Sequence, residues 1–364
     1  MDYLLFIQKY YNYLIVLFMI TIPCTFLFYL KKNEISNMVI SLCILLFCGW
    51  TVYHIGSRDL NIGIDTLRYS YAFEFYKASD YFTVRKDFFY DYLNYSIAHL
   101  FNDFFYLLTL CSFIYVFGTY YGLRKIFDKT YFLPLLLFLM SPDFIDYGIN
   151  VMRSGVAGSI FLVGLAFYYK QKRMWLVYLI FILSVLFHIS FVVTLICFIA
   201  TYYLKNTKIL FLCWVGSFVL YLLNINILSY FINLLDELGV FNSFTERSDG
   251  YINAEENYNS WYYFFMFGLL PIGFAAFNIL QLKYKNEFYI RLTNIYLLVF
   301  IPVTILMDTR YAYRIGYLAE FMMPVILLFP LLIEPKIKIK YLYFKLSICI
   351  FVLFLIKAYK ILII

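Results

Sequence analysis

An all-helical protein that crosses a membrane many times is the fold class this sequence predicts, on three observations. The 364 residues are 64% hydrophobic and 14% charged, with a mean hydropathy of +0.79; water-soluble domains carry about 25% charged and about 45–50% apolar residues. Twelve apolar runs reach or approach the roughly 20 residues that a helix needs to cross a bilayer. The polar segments between them alternate in charge. This balance excludes a soluble enzyme, a disordered chain, a disulfide-stapled secreted module and a nucleic-acid binder with a basic face.

In order, the runs are Tyr13–Leu30, Met38–Ile55, Phe104–Leu123, Tyr131–Tyr147, Ser154–Tyr169 and Met174–Phe187. Ile189–Leu204, Ile209–Leu235, Trp261–Leu282, Phe288–Met307, Ile315–Ile333 and Tyr341–Ile364 follow. Six connecting segments are short and basic: Lys31-Lys32, Arg124-Lys125 with Lys129, Lys170 to Arg173, Lys205 with Lys208, Lys283 with Lys285, and Lys336 to Lys340. The others, Gly56–Asn102, Ser141–Arg153, Asp236–Ser260 and Asp308–Arg314, are acidic or mixed. Short Lys/Arg-rich loops stay in the cytoplasm, and twelve crossings, within a range of ten to fourteen, put all six on that side. The acidic segments and both termini then lie outside, within one membrane domain over residues 1–364.

Two stretches are too short for two full spans. Met174 to Leu204 has inside charges at both ends, so it predicts a hairpin turning within the membrane near His188. Tyr131–Tyr169 turns at Ser141-Pro142 and re-enters at Arg153. Irregular backbone at that depth needs protein or a water-filled cavity around it, so both turns predict a cavity open to the exterior. The outer segment 56–102 contains Phe88, Tyr92, Tyr95 and His99 at helical spacing, an amphipathic stripe expected to lie along the membrane surface. Residues 236–260 form a second, acidic outer loop.

The seven cysteines lie in apolar runs with no CxxC pair and read as buried hydrophobes. The first run lacks a basic leader and an A-x-A site, so it is expected to remain as a membrane helix. Aromatic residues reach 23%, with 42 Phe and 39 Tyr; AT-rich coding sequence and sugar-binding faces both account for this. No GxxxxGK[ST], GxGxxG, HExxH or DxD motif is present, so no nucleotide cofactor or metal is predicted.

What remains is a set of polar residues on the outer side. Arg153 opens an apolar helix, where a charge costs about 2.5–3.5 kcal/mol at mid-helix. A phosphate would compensate, as would an ion pair with Asp143 or Asp146 or snorkelling to the surface. Arg310 and Arg314 share one helix face with Tyr317 below them, which suits a diphosphate or an anchoring belt. Glu320 is a candidate partner for one of these arginines. His188 fits either a packing role or proton transfer with an acceptor hydroxyl. Asp65 fits either an N-cap or a carboxylate beside Arg58.

The ordered pattern Arg58…Gly63-x-Asp65…Tyr69, then Asn150-x-x-Arg153, then Phe187-His188-x-Ser190, then a late outer arginine resembles the EpsG family of Wzy-like polysaccharide polymerases. It departs at Ser154, where such proteins commonly carry Gln. The resemblance implies a GT-C-like membrane glycosyltransferase in the bacterial cytoplasmic membrane with its site facing outward. It would join undecaprenyl-diphosphate-linked oligosaccharide donor and acceptor units, without a cofactor, within membrane lipid and with a chain-length regulator as a possible partner. Arg153, Arg310 and Arg314 would then hold diphosphate, and His188 or Asp65 would activate the acceptor. Arg58, Tyr69, Asn150 and Tyr317 would orient sugar. A lipid-linked oligosaccharide flippase and an O-antigen ligase are the rival readings.

Overall fold

The computed structural model describes residues 3–31, 34–223, 260–307, 310–335 and 339–363. All regular structure among these is helical. Among the described residues, seven helices are long and apolar enough to cross a membrane, or eight if one bent pair counts as a span. Met174–Phe187 and Ile189–Ala200 are apolar and shorter, Thr207–Leu222 runs up to the end of a described stretch, and the last helix, Leu342–Ile363, has 22 residues. Twelve full-length crossings are not seen among the described residues, where some apolar runs are broken into shorter helices. Most of the acidic loop expected over 236–260 lies outside the described residues, as does the 224–235 part of the eighth run.

The chain divides into two compact units. The first spans Met1–Phe191 with Ile337–Ile364. It contains α1 (Tyr3–Lys31), α2 (Glu34–Gly56), α3 (Thr66–Lys77), α4 (Phe88–Phe101), α5 (Phe104–Phe127), α6 (Phe132–Leu139), α7 (Pro142–Ile149), α8 (Met152–Tyr169) and α9 (Met174–Phe187). α5 and α8 form its central pair. Gly118 and Gly122, a small-xxx-small face, let α8 lie so close that an added Cβ would meet Ser159 and Leu162 at 2.9 Å. Ser184 Oγ donates to the Ala157 carbonyl at 2.7 Å and Phe181 stacks on Phe161, which fixes α9 against α8. Tyr10 of α1 donates to the Leu139 carbonyl at 2.9 Å, and Tyr11 packs edge-on against Phe354 of the C-terminal helix.

Both sequence-predicted breaks are present. α6 and α7 are bent by 73°. Ser141 at the junction takes extended backbone, as a residue preceding proline is driven to do. α9 ends at His188, whose backbone is extended, and a single 3₁₀ turn, Ile189–Phe191, follows. On α4, Phe88, Tyr92 and His99 are exposed and Tyr95 is half-buried, while Tyr90, Asp91, Asn94, Ile97 and Ala98 pack inward.

The second unit spans Val192–Lys336. It holds α10 (Val192–Ala200), α11 (Thr207–Leu222), α12 (Trp261–Gln281), α13 (Glu287–Ile305), α14 (Arg310–Glu320) and α15 (Met323–Leu332). Two π-helical stretches, Phe264–Leu269 and Phe277–Gln281, interrupt α12. Trp214 donates to Thr304 at 3.1 Å and Tyr289 to the Ile326 carbonyl at 3.1 Å. Glu320 is buried, and its carboxylate accepts from the Tyr263 hydroxyl at 2.6 Å.

Candidate functional site

A buried carboxylate gathers the site in the first unit. Asp87 lies just before α4, and its side chain is 1% exposed. Asp91, one turn into α4, accepts from the backbone N–H groups of Arg85 and Lys86 at 2.7 Å each. Tyr76 of α3 donates to the Thr83 carbonyl at 2.9 Å. These contacts clamp the 83–87 strap and present Asp87 to the interior.

Asp87 Oδ2 accepts from Arg153 Nη1 and lies 3.3 Å from His188 Nδ1, while Oδ1 accepts from the Ile189 N–H at 2.9 Å. Helix ends leave backbone donors unsatisfied, and the break at His188 frees the N–H that Asp87 receives. Burial raises the Asp87 carboxyl. Hydrogen bonds from His188 and Ile189 and the Arg153 charge outweigh it, so the group is held below its ordinary value. A carboxylate only accepts, so its contact with His188 puts the imidazole proton on Nδ1 and leaves Nε2 as an acceptor. Arg153 and His188 side chains are 22% and 20% exposed, so both reach the surface over a carboxylate that does not.

The Arg153 guanidinium lies 5.7 Å from the Tyr90 ring centre. Tyr69 packs edge-on to Tyr90 and donates to the Asn150 carbonyl at 2.7 Å. Burial raises the Tyr69 hydroxyl to about 12, against the neighbouring Arg153 charge. Asn150 in turn accepts from the Ile64 N–H at 2.7 Å and donates to Asp146 at 2.5 Å. Gly63 makes this possible. Its φ of +84° suits glycine, and a Cβ there would collide with Ile149 and Asn150.

Arg58 is buried and donates to Thr66 at 3.0 Å and to the Ile55 and Ile149 carbonyls at 2.8 and 3.3 Å. Burial lowers it to about 10. Arg58, Gly63, Tyr69 and Asn150 thus form one clasp that fixes the start of α8 and with it Arg153. Asp65 sits at the N-cap position of α3, but its side chain makes no capping bond. It pairs with Arg68 at 3.0 Å rather than with Arg58.

The ion pair of Arg153 is likewise not with the acids nearest in sequence. Asp143 accepts from Ser141 at 2.6 Å and Asp146 from Asn150, and Asp87 takes the arginine. The sequence carried one usable signal for Asp87: two acids four residues apart opening an amphipathic helix whose outer stripe does not need them. Arg310, Arg314 and Tyr317 lie on α14 in the second unit, with Arg314 exposed and Tyr317 buried.

Neither curated proteins nor solved structures contain a match to this chain. One family model does match, over residues 41–364, and that span takes in the clasp, the Asp87 strap, Arg153, His188 and α14 alike. On that match the chain belongs to the EpsG family, a family of Wzy-like polysaccharide polymerases.

Proposed function

We propose that this protein is a membrane glycosyltransferase that polymerises undecaprenyl-diphosphate-linked oligosaccharide units into a surface polysaccharide on the outer face of the cytoplasmic membrane. The observation that carries the reading is the convergence of Arg153 and His188 on buried Asp87. Three separate segments of the sequence meet there to hold a phosphate-binding fork beside a proton acceptor.

In this reading the acceptor hydroxyl oxygen bonds to the anomeric carbon of the donor glycan. The bond from that carbon to the diphosphate breaks, and the carrier leaves with the electron pair. The hydroxyl proton passes to His188 Nε2, and Asp87 stabilises the imidazolium that forms. Arg153 meets the negative charge growing on the phosphate, in a partly water-excluded place where such a contact is strongest. Asp65, partly exposed beside the clasp, is the second candidate for the base. Arg310 and Arg314 keep the diphosphate role that their spacing on α14 suggests. Arg58, Tyr69 and Asn150 act by fixing the backbone that carries Arg153.

The test is a gel of surface polysaccharide from the native host deleted for this gene and complemented with variants. Arg153→Ala and Asp87→Ala should reduce long chains to single repeat units while the protein stays in the membrane. Polymer of normal length from both variants overturns the site. A bare surface with repeat units held inside indicates a flippase, and long carrier-linked chains that never reach their acceptor indicate a ligase.

A further inference from the structure

A second polar site lies at the other end of α8, roughly 25 Å along the helix from Arg153 at 1.5 Å per residue. Two adjoining hollows of about 630 and 290 Å³ share Tyr121, Lys125 and Asp128 among their walls. Arg124 and Lys129 line the larger, and Lys170 and Lys172 line the smaller. Five cations thus face one carboxylate. That carboxylate, Asp128, is engaged by Lys170 at 3.2 Å, which ties the end of α5 to the end of α8 and sets the width of the cleft.

Two of the cations rest against aromatic rings. Arg124 lies 5.7 and 5.8 Å from the ring centres of Tyr120 and Tyr131 and donates to the Tyr120 hydroxyl at 2.7 Å. Lys125 lies 5.4 Å from the Tyr121 ring centre. Tyr131 is 2% exposed, and its hydroxyl lies by the hydroxyls of Ser41 and Tyr120, so this wall of the hollow carries hydroxyl groups beside its cations.

We infer that this cleft binds the phosphate headgroup of an anionic phospholipid lying against α5 and α8. A guanidinium held between aromatic faces, flanked by ammonium groups, matches clustered phosphate oxygens. The cleft opens at the ends of two spans, and Phe113 and Tyr121 point outward from α5 above it. Acyl chains can therefore follow the helix while the headgroup enters the cleft. The loops involved are those whose charge assigns them to the cytoplasmic side, where basic pockets between helices take acidic headgroups. This inference is independent of the polymerase reading.

The experiment is lipid binding to the purified full-length chain in detergent, followed by native mass spectrometry. The probes are cardiolipin, phosphatidylglycerol, phosphatidylcholine of the same acyl chains, and inorganic pyrophosphate. The two anionic lipids should bind at least about tenfold more tightly than phosphatidylcholine. Arg124→Gln/Lys125→Gln/Lys129→Gln should weaken them by roughly a hundredfold, as removal of several near-surface cations does. Tyr131→Phe keeps the shape of the site and should cost several-fold at an unchanged melting temperature. Lys283→Gln/Lys285→Gln, in another basic loop, should change nothing. Equal binding of anionic and neutral lipid, or a triple variant that binds like wild type, overturns the proposal. Tight pyrophosphate binding that the triple variant loses, with no preference among lipids, keeps the phosphate site but overturns the lipid as its source.

Discussion

Asp87 is one residue with three partners, and its titration can be read from outside the site. Unfolded, its carboxyl titrates near pH 4. Folded, it is held lower. A group shifted this way contributes its full stability above the unfolded value and loses it as pH falls through the folded one. Asp87→Asn should therefore lower the apparent melting temperature by a constant amount from about pH 8 to about pH 5. The gap should begin to close as pH falls below about 4 and vanish once pH has passed the lower folded value. The loss above that should be about 1.5–3 kcal/mol, the worth of hydrogen bonds to charged groups. Thermal unfolding in detergent across this range checks it, and a gap that persists unchanged at pH 3 would count against the pairing. The arginine was legible here as a charge in need of a partner, and the aspartate was not legible as that partner. An arginine opening an apolar helix advertises a missing partner by its cost, but nothing in local spacing says that the partner comes from 66 residues upstream. Asp143 and Asp146 were nearer in sequence and already engaged by Ser141 and Asn150.

Among the helices, the breaks were the most readable feature and the close packing the least. Ser141-Pro142 and His188 interrupt apolar runs too short for two crossings, and length alone exposes that misfit. The Gly118-x-x-x-Gly122 face is marked only by the spacing of its two glycines, which does not say which helix packs there. It nevertheless decides how closely α5 and α8 approach. Gly122→Leu should push the pair apart and cost about 1–3 kcal/mol, the usual penalty for overpacking. A fall in apparent melting temperature with the polymer pattern weakened in proportion is the expected result; an unchanged melting temperature would show that the two helices do not depend on that approach. Met174–Phe187 and Ile189–Ala200 are each shorter than a bilayer requires. Hydropathy summed over a run counts residues, whereas a span depends on unbroken helix, so a count of runs overstates the spans wherever the chain breaks.

Over the whole molecule, the alternation of basic and acidic loops makes a prediction about sidedness. In a background with the native cysteines replaced, Ser79→Cys, beside the Asp87 strap, should react with a membrane-impermeant maleimide in intact cells. Lys172→Cys should react only after permeabilisation. Labelling of both from outside would invert or break the assigned topology. The clasp that joins the 58–69 segment to Asn150, and the strap that brings Asp87 to Arg153, also bear on how the protein is made. Translation emits Asp87 before Arg153 and His188 last, so the carboxylate is in position when the arginine-bearing helix arrives. The arginine need never sit in the bilayer without a counter-ion, and the histidine is the final component to join. Biogenesis and catalysis thus draw on the same carboxylate.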